Sequence, residues 1–160
     1  MRKRALTLLF SLVAMPALAA GQSTPEQLGD LFCKASLSDD MSRIESDRSP
    51  SLALAIAEAE AKNTQIQASA PDEKPPLGDG LPWRSWQDFA DGCTVGNTFW
   101  SADRVFVEIN YSFSESPDAN YTDQLVLIHG AEDQNSWQLD DVVFAAGMTM
   151  RSSLASAFAQ

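Results

Sequence analysis

Apolar residues in the first part of the chain recur with a helical period. Thr24–Gln27 forms a capping box, and Pro25 suits the first position of a helix. Apolar residues then follow at i, i+3, i+4 and i+7, which predicts a helix with one buried face. These residues are Leu28, Leu31, Phe32 and Ala35. A short second helix is predicted from Ser38.

A third helix is predicted from Ser49-Pro50, in a stretch rich in alanine and glutamate, which are good helix formers. Its inner side is marked by Leu52, Ala55, Ile56, Ala59 and Ile66. We expect this helix to fray after Asn63.

Residues 69–84 contain several prolines and glycines, which exclude a regular element and predict a long loop. Trp83 and Trp86, at the end of the loop, are predicted to pin it to the body of the protein. The sequence Ser85–Asp88 resembles a second capping box, and it predicts a further short helix that ends at Gly92.

From Cys93 onward the period changes from helical to two. Residues 105–113 alternate between apolar and polar and predict a half-buried strand. Residues 93–101, 121–130 and 137–145 predict three further strands, joined by short polar turns, and a closing helix follows near Met150. Helices followed by a run of strands indicate an α+β fold. We therefore predict N-terminal helices packed on a curved four-stranded antiparallel meander, with a short C-terminal helix.

The N-terminus has the pattern of an export signal. Three cationic residues at positions 2–4 precede a short apolar run, and Ala17-Leu18-Ala19 matches the small-x-small cleavage pattern. Residues 1–19 are therefore predicted to be a signal peptide, and residues 20–160 one exported α+β domain, periplasmic or secreted. An uncleaved anchor is disfavoured because the apolar run is short.

The chain is strongly acidic, and this excludes some classes of partner. It has 11 Lys+Arg against 22 Asp+Glu, a formal charge of −11. Removal of residues 1–19 leaves 8 cations, so the remaining 141 residues carry −14. Such a surface repels nucleic-acid phosphates and anionic lipids, and it attracts basic proteins. We expect no nucleic acid and no stable membrane association after signal removal, and we consider a basic protein or peptide a possible partner.

Cys33 and Cys93 are the only cysteines. In an oxidising compartment an even pair usually forms a disulfide, so we predict a bridge between them. Two buried free cysteines are the alternative. The spacing excludes a C-x-x-C redox or zinc motif, and one histidine is too few for a His-rich metal site. No metal and no cofactor are predicted.

The order of elements resembles the nuclear transport factor 2-like superfamily, whose members have a cone-shaped α+β fold. The resemblance rests on the tail, Trp137–Val142 followed by Gly147 and 151–154, and on the Tyr111 and Phe113 pair in the central strand. The tail is similar to the ending of uncharacterised bacterial periplasmic domains in this group, and the resemblance as a whole covers residues 24–158. The resemblance implies either a pocket enzyme, a binding module or an immunity protein, so the fold does not choose the function.

His129 and Asp141 are the catalytic candidates. His129 is predicted at the end of the third strand, on the side that carries Asp123 and Leu125, and as a general base it needs a cross-strand acid such as Asp141. A surface histidine at a strand end is the favoured interpretation. Asp140 and Asp141 are expected to point to opposite faces, and a structural role at a helix N-terminus or the loop is favoured for the buried one.

The loop between the third helix and the sheet is the candidate binding segment, formed by Lys74, Pro75, Pro76, Asp79 and Trp83. It lacks the spacing of a phosphate-binding loop or a calcium loop. A recognition loop with an aromatic anchor and a proline-fixed connector are equally compatible with it.

These observations favour an exported, non-catalytic binding or interaction module. A small-molecule enzyme or ligand binder that uses Asp141 and His129 in a cone pocket is the main alternative. An acidic immunity-type inhibitor of a basic secreted toxin is the third. An empty inner face of the sheet favours the enzyme, and a filled one favours the module.

Overall fold

The computed structural model describes residues 23–130, 133 and 135–159. The predicted signal peptide, residues 1–19, lies outside them. Helix α1, Pro25–Ser38, begins with the predicted capping box: the Thr24 hydroxyl accepts from the Gln27 backbone N–H, and the Gln27 side chain accepts from the Thr24 N–H. A 3-10 helix, Met41–Asp47, occupies the place of the predicted second helix.

Helix α2, Pro50–Ser69, begins at Ser49, whose hydroxyl accepts from the Leu52 N–H at 3.0 Å. It runs past Asn63, so the predicted fraying there is wrong. The helix continues because the following loop folds back on its last turns. The Gln67 side chain donates to the carbonyls of Pro71 and Glu73, and Asn63 accepts from the loop backbone.

The four predicted strands are confirmed as an antiparallel meander in the order β1-β2-β3-β4. Their bounds are Gly92–Ser101 for β1, Arg104–Ser112 for β2, Tyr121–His129 for β3 and Trp137–Val143 for β4. Helix α3, Met150–Ala157, follows the sheet. The fold is therefore α+β, as predicted. None of the helices in the described part of the chain is long and apolar enough to cross a membrane.

Strand β1 has a bulge between Val95 and Thr98. Glu108 on β2 holds the bulge by accepting from both the backbone and the side chain of Asn97, at 3.0 and 2.8 Å. A Cβ atom on Gly96 would come within 3 Å of Glu108, so the close approach of the two strands requires glycine there.

Residues 70–91 form neither helix nor strand, and the short helix predicted at Ser85–Asp88 is absent. Ser85 uses its backbone N–H and its hydroxyl to donate to Asp123, a residue of β3. The apparent capping residue is therefore committed to a distant carboxylate instead of its own helix.

The inner face of the sheet is filled with side chains. Val105, Val107 and Ile109 of β2 are fully buried beneath the helices. The helices and the segment after α1 contribute Leu28, Phe32, Ala35, Ile44, Leu52, Ile56, Met150 and Leu154 to the same core. The side of the sheet that faces the helices is thus a packed interior.

The predicted disulfide between Cys33 and Cys93 is confirmed, with Cα atoms 5.4 Å apart. It joins the second half of α1 to the start of β1. Cys33 is buried in the core and Cys93 packs against it. The bridge thus closes a loop that includes α2 and the whole irregular segment before the sheet.

Candidate functional site

His129 is the last residue of β3, and it is exposed. The centroid of its ring lies 4.0 Å from that of Trp137, the residue of β4 that pairs with it. The interpretation as a strand-end surface histidine is confirmed. Asp141 pairs with Val126, and strand alternation puts this pair on the face opposite His129. The structure therefore does not bring the two catalytic candidates together.

Asp140 and Asp141 both contact Arg151, in the first turn of α3. The Arg151 guanidinium donates to Asp140 Oδ1 at 2.8 Å, and Asp141 Oδ1 accepts from the Arg151 backbone N–H at 3.2 Å. The pairing of β3 with β4 shifts between Val126 and Leu127, a bulge beside these two carboxylates, and their orientation to opposite faces of the sheet stays a prediction. Asp140 also accepts from the Ser49 hydroxyl at 2.7 Å. Both carboxylates hold helices on the sheet.

The candidate binding loop is tied internally by Lys74 and Asp79. The Lys74 ammonium contacts both carboxylate oxygens of Asp79, and both side chains are exposed. Two tight turns follow each other, with the Gly78 N–H donating to the Pro75 carbonyl and the Gly80 N–H to the Leu77 carbonyl. Lys74, the only cation of the candidate segment Lys74–Trp83, is thus already paired with an acid of the same segment.

The remaining candidate residues of the loop face different depressions. Trp83 is half-buried, packs against the core and lines a depression beside α2. Lys74 and Pro76 line another depression, beside the end of α3. Binding by this loop stays a prediction, and its fixed, helix-bound form agrees with a connector.

A third depression, a groove of about 650 Å³, lies at the end of the sheet where β2 leaves it and β3 enters. We call it the aromatic groove. Its walls come from the irregular segment before β1 and from the turn between β2 and β3. Four aromatic residues and two carboxylates characterise its lining: Trp86, Phe89, Phe113, Tyr121, Asp88 and Asp118.

The aromatic rings in the groove lie at defined angles. The rings of Phe113 and Tyr121 are 6.2 Å apart and within 33° of parallel, whereas the Trp86 ring stands at 80° to Tyr121, at 6.5 Å. Tyr121 stacks on the buried Tyr111 at 4.7 Å. The groove therefore has a floor anchored in the core and a perpendicular aromatic wall.

Asp123 holds the wall of the groove in place. It is only 1% exposed, and it accepts from the Ser85 N–H at 2.9 Å, from the Ser85 hydroxyl and from the Ala145 N–H at 3.0 Å. Burial raises the pKa of Asp123, and the hydrogen bonds from Ser85 and Ala145 only partly oppose this shift. This carboxylate fixes the backbone on which Trp86 stands.

Arg84 is the second anchor of the wall. Its guanidinium donates to the carbonyl of Ser36 at 2.9 Å, of Trp86 at 3.1 Å and of Gln87 at 3.2 Å. The same guanidinium lies over the Phe89 ring, 5.0 Å from its centroid. The donors of Arg84 are thus directed to backbone carbonyls, and its plane supports the ring of Phe89.

Asp91 closes the segment at its other end. Its carboxylate accepts from both the backbone N–H and the hydroxyl of Ser114, in the turn after β2. The Ser114 hydroxyl, followed by the backbone hydrogen bond, lowers the pKa of Asp91. Both sides of the groove are therefore linked by hydrogen bonds outside the sheet.

Charge at the rim of the groove is negative. Asp88 and Asp118 are exposed, and within the described residues neither takes part in a salt bridge. The Trp86 and Phe89 side chains are 59% and 61% exposed. Exposed aromatic faces beside unpaired carboxylates form a surface suited to a cation. No three histidine, cysteine or acidic side chains of the described residues are grouped to hold a metal.

Sequence reasoning missed this groove. It assigned Trp86 to the body and Phe89 to a helix, but both side chains are largely exposed on an irregular segment. The sequence feature that could have indicated the groove is the density of aromatic and acidic residues at 86–91, together with an aromatic residue, Tyr121, at the start of β3.

Comparison with known protein families, characterised proteins and solved structures finds no match for this chain.

Proposed function

We propose that this protein is an exported, non-catalytic interaction module that binds a basic protein or peptide in the aromatic groove. The observation that carries the proposal is the combination of four aromatic side chains with Asp88 and Asp118 in an open groove of about 650 Å³. That volume is within the range of ligand sites and accommodates one or two side chains of a partner. Charge complementarity specifies the partner, because the predicted exported chain carries −14.

The packed inner face of the sheet supports a module over a pocket enzyme. Fully buried residues of β2, β3 and α1 occupy the place that a cone pocket would need. Asp141 accepts a hydrogen bond from Arg151, and His129, the last residue of β3, packs against Trp137. The alternative of an enzyme using these two residues is therefore less well supported than binding at the surface.

An immunity-type inhibitor is one form of the same proposal. Its partner would be a basic toxin, and the strong negative charge favours it. Such an inhibitor acts by occupying a cationic surface, so the aromatic groove would be its contact. Inhibition of a basic toxin's activity by the purified protein would separate this role from binding alone.

Export is part of the proposal, as is membership of the nuclear transport factor 2-like superfamily. A disulfide between the only two cysteines agrees with an oxidising compartment.

We predict cleavage after Ala19, because the small residues at 17 and 19 match the cleavage pattern of a signal peptide. Intact-mass measurement of the exported protein is expected to give a chain that starts at Ala20. A full-length mass in the membrane fraction would contradict this.

Binding of basic peptides tests the groove directly. We predict that oligoarginine or oligolysine binds the oxidised, processed protein, that oligoglutamate of equal length does not, and that affinity falls as salt rises. Trp86→Ala is expected to weaken binding about tenfold, since a desolvated aromatic contact contributes more than about 1 kcal/mol. Isothermal titration calorimetry measures both effects.

Trp100→Ala is the matched control, because Trp100 is similarly exposed, at 67%, and lies at the far end of β1. It should leave peptide affinity unchanged. Absence of binding by either basic peptide would refute the proposal. Equal affinities of wild type, Trp86→Ala and Trp100→Ala would place any binding outside the groove.

A further inference from the structure

We propose that the aromatic groove selects arginine over lysine, holding one guanidinium of the partner against Trp86 and Tyr121 while Asp88 or Asp118 accepts its N–H groups. This inference rests on the proposed function, since it concerns the same groove. It adds the chemical group that is recognised. A guanidinium is planar and stacks on aromatic faces, whereas an ammonium is a compact, strongly hydrated point charge.

The angles between the rings favour a planar cation. Phe113 and Tyr121 form a floor within 33° of parallel, and Trp86 stands at 80° to Tyr121. A flat group that lies on the floor presents its edge to the wall, so two aromatic contacts form at once. Asp88 and Asp118 in the lining of the groove are exposed, which matches a side chain that enters from a partner rather than an enclosed small amine.

The chain already contains the same contact. The Arg84 guanidinium packs on the Phe89 ring with its centre 5.0 Å from the ring centroid, while its N–H groups donate to backbone carbonyls. Its nearest carboxylate partner is Asp39, at 3.6 Å. The geometry of this segment therefore accommodates a guanidinium stacked on an aromatic ring.

The positive charge of Arg84 does not saturate the acids of the groove. Arg84 donates to Ser36, Trp86 and Gln87 and pairs with Asp39, and no described residue forms a salt bridge with Asp88 or Asp118. An incoming cation consequently meets two unpaired carboxylates beside the largely exposed side chains of Trp86 and Phe89. Carboxylates accept two parallel N–H groups from a guanidinium, a geometry that an ammonium does not provide.

The test uses peptides of glycine and serine that carry one variable residue: arginine, lysine, trimethyllysine or citrulline. The oxidised, processed protein is titrated with each peptide, and the site is followed by Trp86-dependent fluorescence and by calorimetry. We expect the arginine peptide to bind about five- to tenfold more tightly than the lysine peptide, from the additional stacking. Citrulline keeps the plane without the charge, and its peptide is expected to bind at least as weakly as the lysine peptide.

Variants assign the preference to the wall and the rim. Trp86→Leu should abolish the preference for arginine and Trp86→Phe should retain most of it, while Trp100→Leu should have no effect. Asp118→Asn should weaken binding of both cationic peptides, and Asp103→Asn, in the turn at the far end of β1 and β2, should not. Thermal unfolding of each variant shows whether the fold is kept, which we expect because these side chains are exposed.

Different failures have different meanings. Equal binding of the arginine and lysine peptides, or tighter binding of trimethyllysine, would overturn the arginine inference and leave the proposed function standing. Loss of the arginine preference in Trp100→Leu but not in Trp86→Leu would also overturn it. If no cationic peptide, including the oligomers, binds above the citrulline control, the proposed function itself fails.

Discussion

Reduction of the Cys33–Cys93 disulfide is expected to destabilise the protein by about 4 kcal/mol, the largest single effect we predict. The two cysteines are 60 positions apart, and the bridge removes the entropy of a long loop from the unfolded chain. The loop contains α2 and the irregular segment that carries Trp86 and Phe89. Urea unfolding of the oxidised and reduced wild-type protein, with thiols alkylated after each measurement, gives the difference in free energy of unfolding.

The comparison of redox states avoids a complication of mutagenesis. Cys33 is 5% exposed in the core, so Cys33→Ala would add the cost of a small cavity to the loss of the bridge. The double variant Cys33→Ala, Cys93→Ala should therefore unfold at slightly lower urea than the reduced wild type, and it should not respond to reductant. Equal unfolding midpoints for the oxidised and reduced wild type would contradict the prediction.

The sheet could be predicted because its signal is local. Apolar and polar residues alternate along β2, and this alternation indicates the side that is buried. Its members are Val105, Val107, Ile109 and Tyr111. The turns are short, so neighbouring strands in the sequence are neighbours in the sheet. The capping box of α1 lies within four residues, and it too was predicted correctly.

The errors arose where a distant partner decides the local structure. Ser85 has the sequence context of a helix cap, yet its donors are directed to Asp123, 38 residues further along the chain. Asp140 and Asp141 both contact Arg151, beside a bulge that the alternation of the strand did not indicate. These contacts cannot be inferred from the strand's own pattern, because Arg151 belongs to α3.

The candidate groove was missed for a related reason. Its floor begins at Tyr121 and its wall at Trp86, and only the fold of the irregular segment across the end of the sheet brings the two rings to 6.5 Å. Alternation correctly put Asp123 on the side of Leu125, which is the buried side. The pattern could not show that this buried carboxylate would bind the backbone that carries Trp86.

Asp123→Ala is expected to destabilise the protein by about 2–3 kcal/mol, because it removes the acceptor of the part-buried Ser85 N–H and hydroxyl and one of the two acceptors of the Ala145 N–H. The Ala145 N–H keeps the Ser85 hydroxyl oxygen, 2.8 Å away, as its other acceptor. Asp123→Asn should lower the free energy of unfolding by less than Asp123→Ala does, but the NH₂ of its amide must face one of these donors. Urea unfolding measures both, and the exposed Asp88→Asn is the control, expected to stay close to wild type.

The pH dependence of the Asp123→Asn effect distinguishes burial from hydrogen bonding. Burial raises the pKa of Asp123 in the folded protein above its ordinary value of 3.8, so the folded state binds a proton more readily than the unfolded chain. The contribution of Asp123 to stability is then complete below the unfolded pKa, and it declines as pH rises through the folded pKa. Wild type should therefore exceed Asp123→Asn by more at acidic than at neutral pH.

Carboxylates with a lowered pKa, such as Asp91 and Glu26, change stability in the opposite direction. Their contribution is the same in wild type and Asp123→Asn, so it cancels when the two proteins are compared at each pH. A wild-type advantage that grows as pH rises would show that the donors from Ser85 and Ala145 stabilise the ionised carboxylate more than burial penalises it. In that case Asp123 holds the wall of the groove most firmly when it is charged.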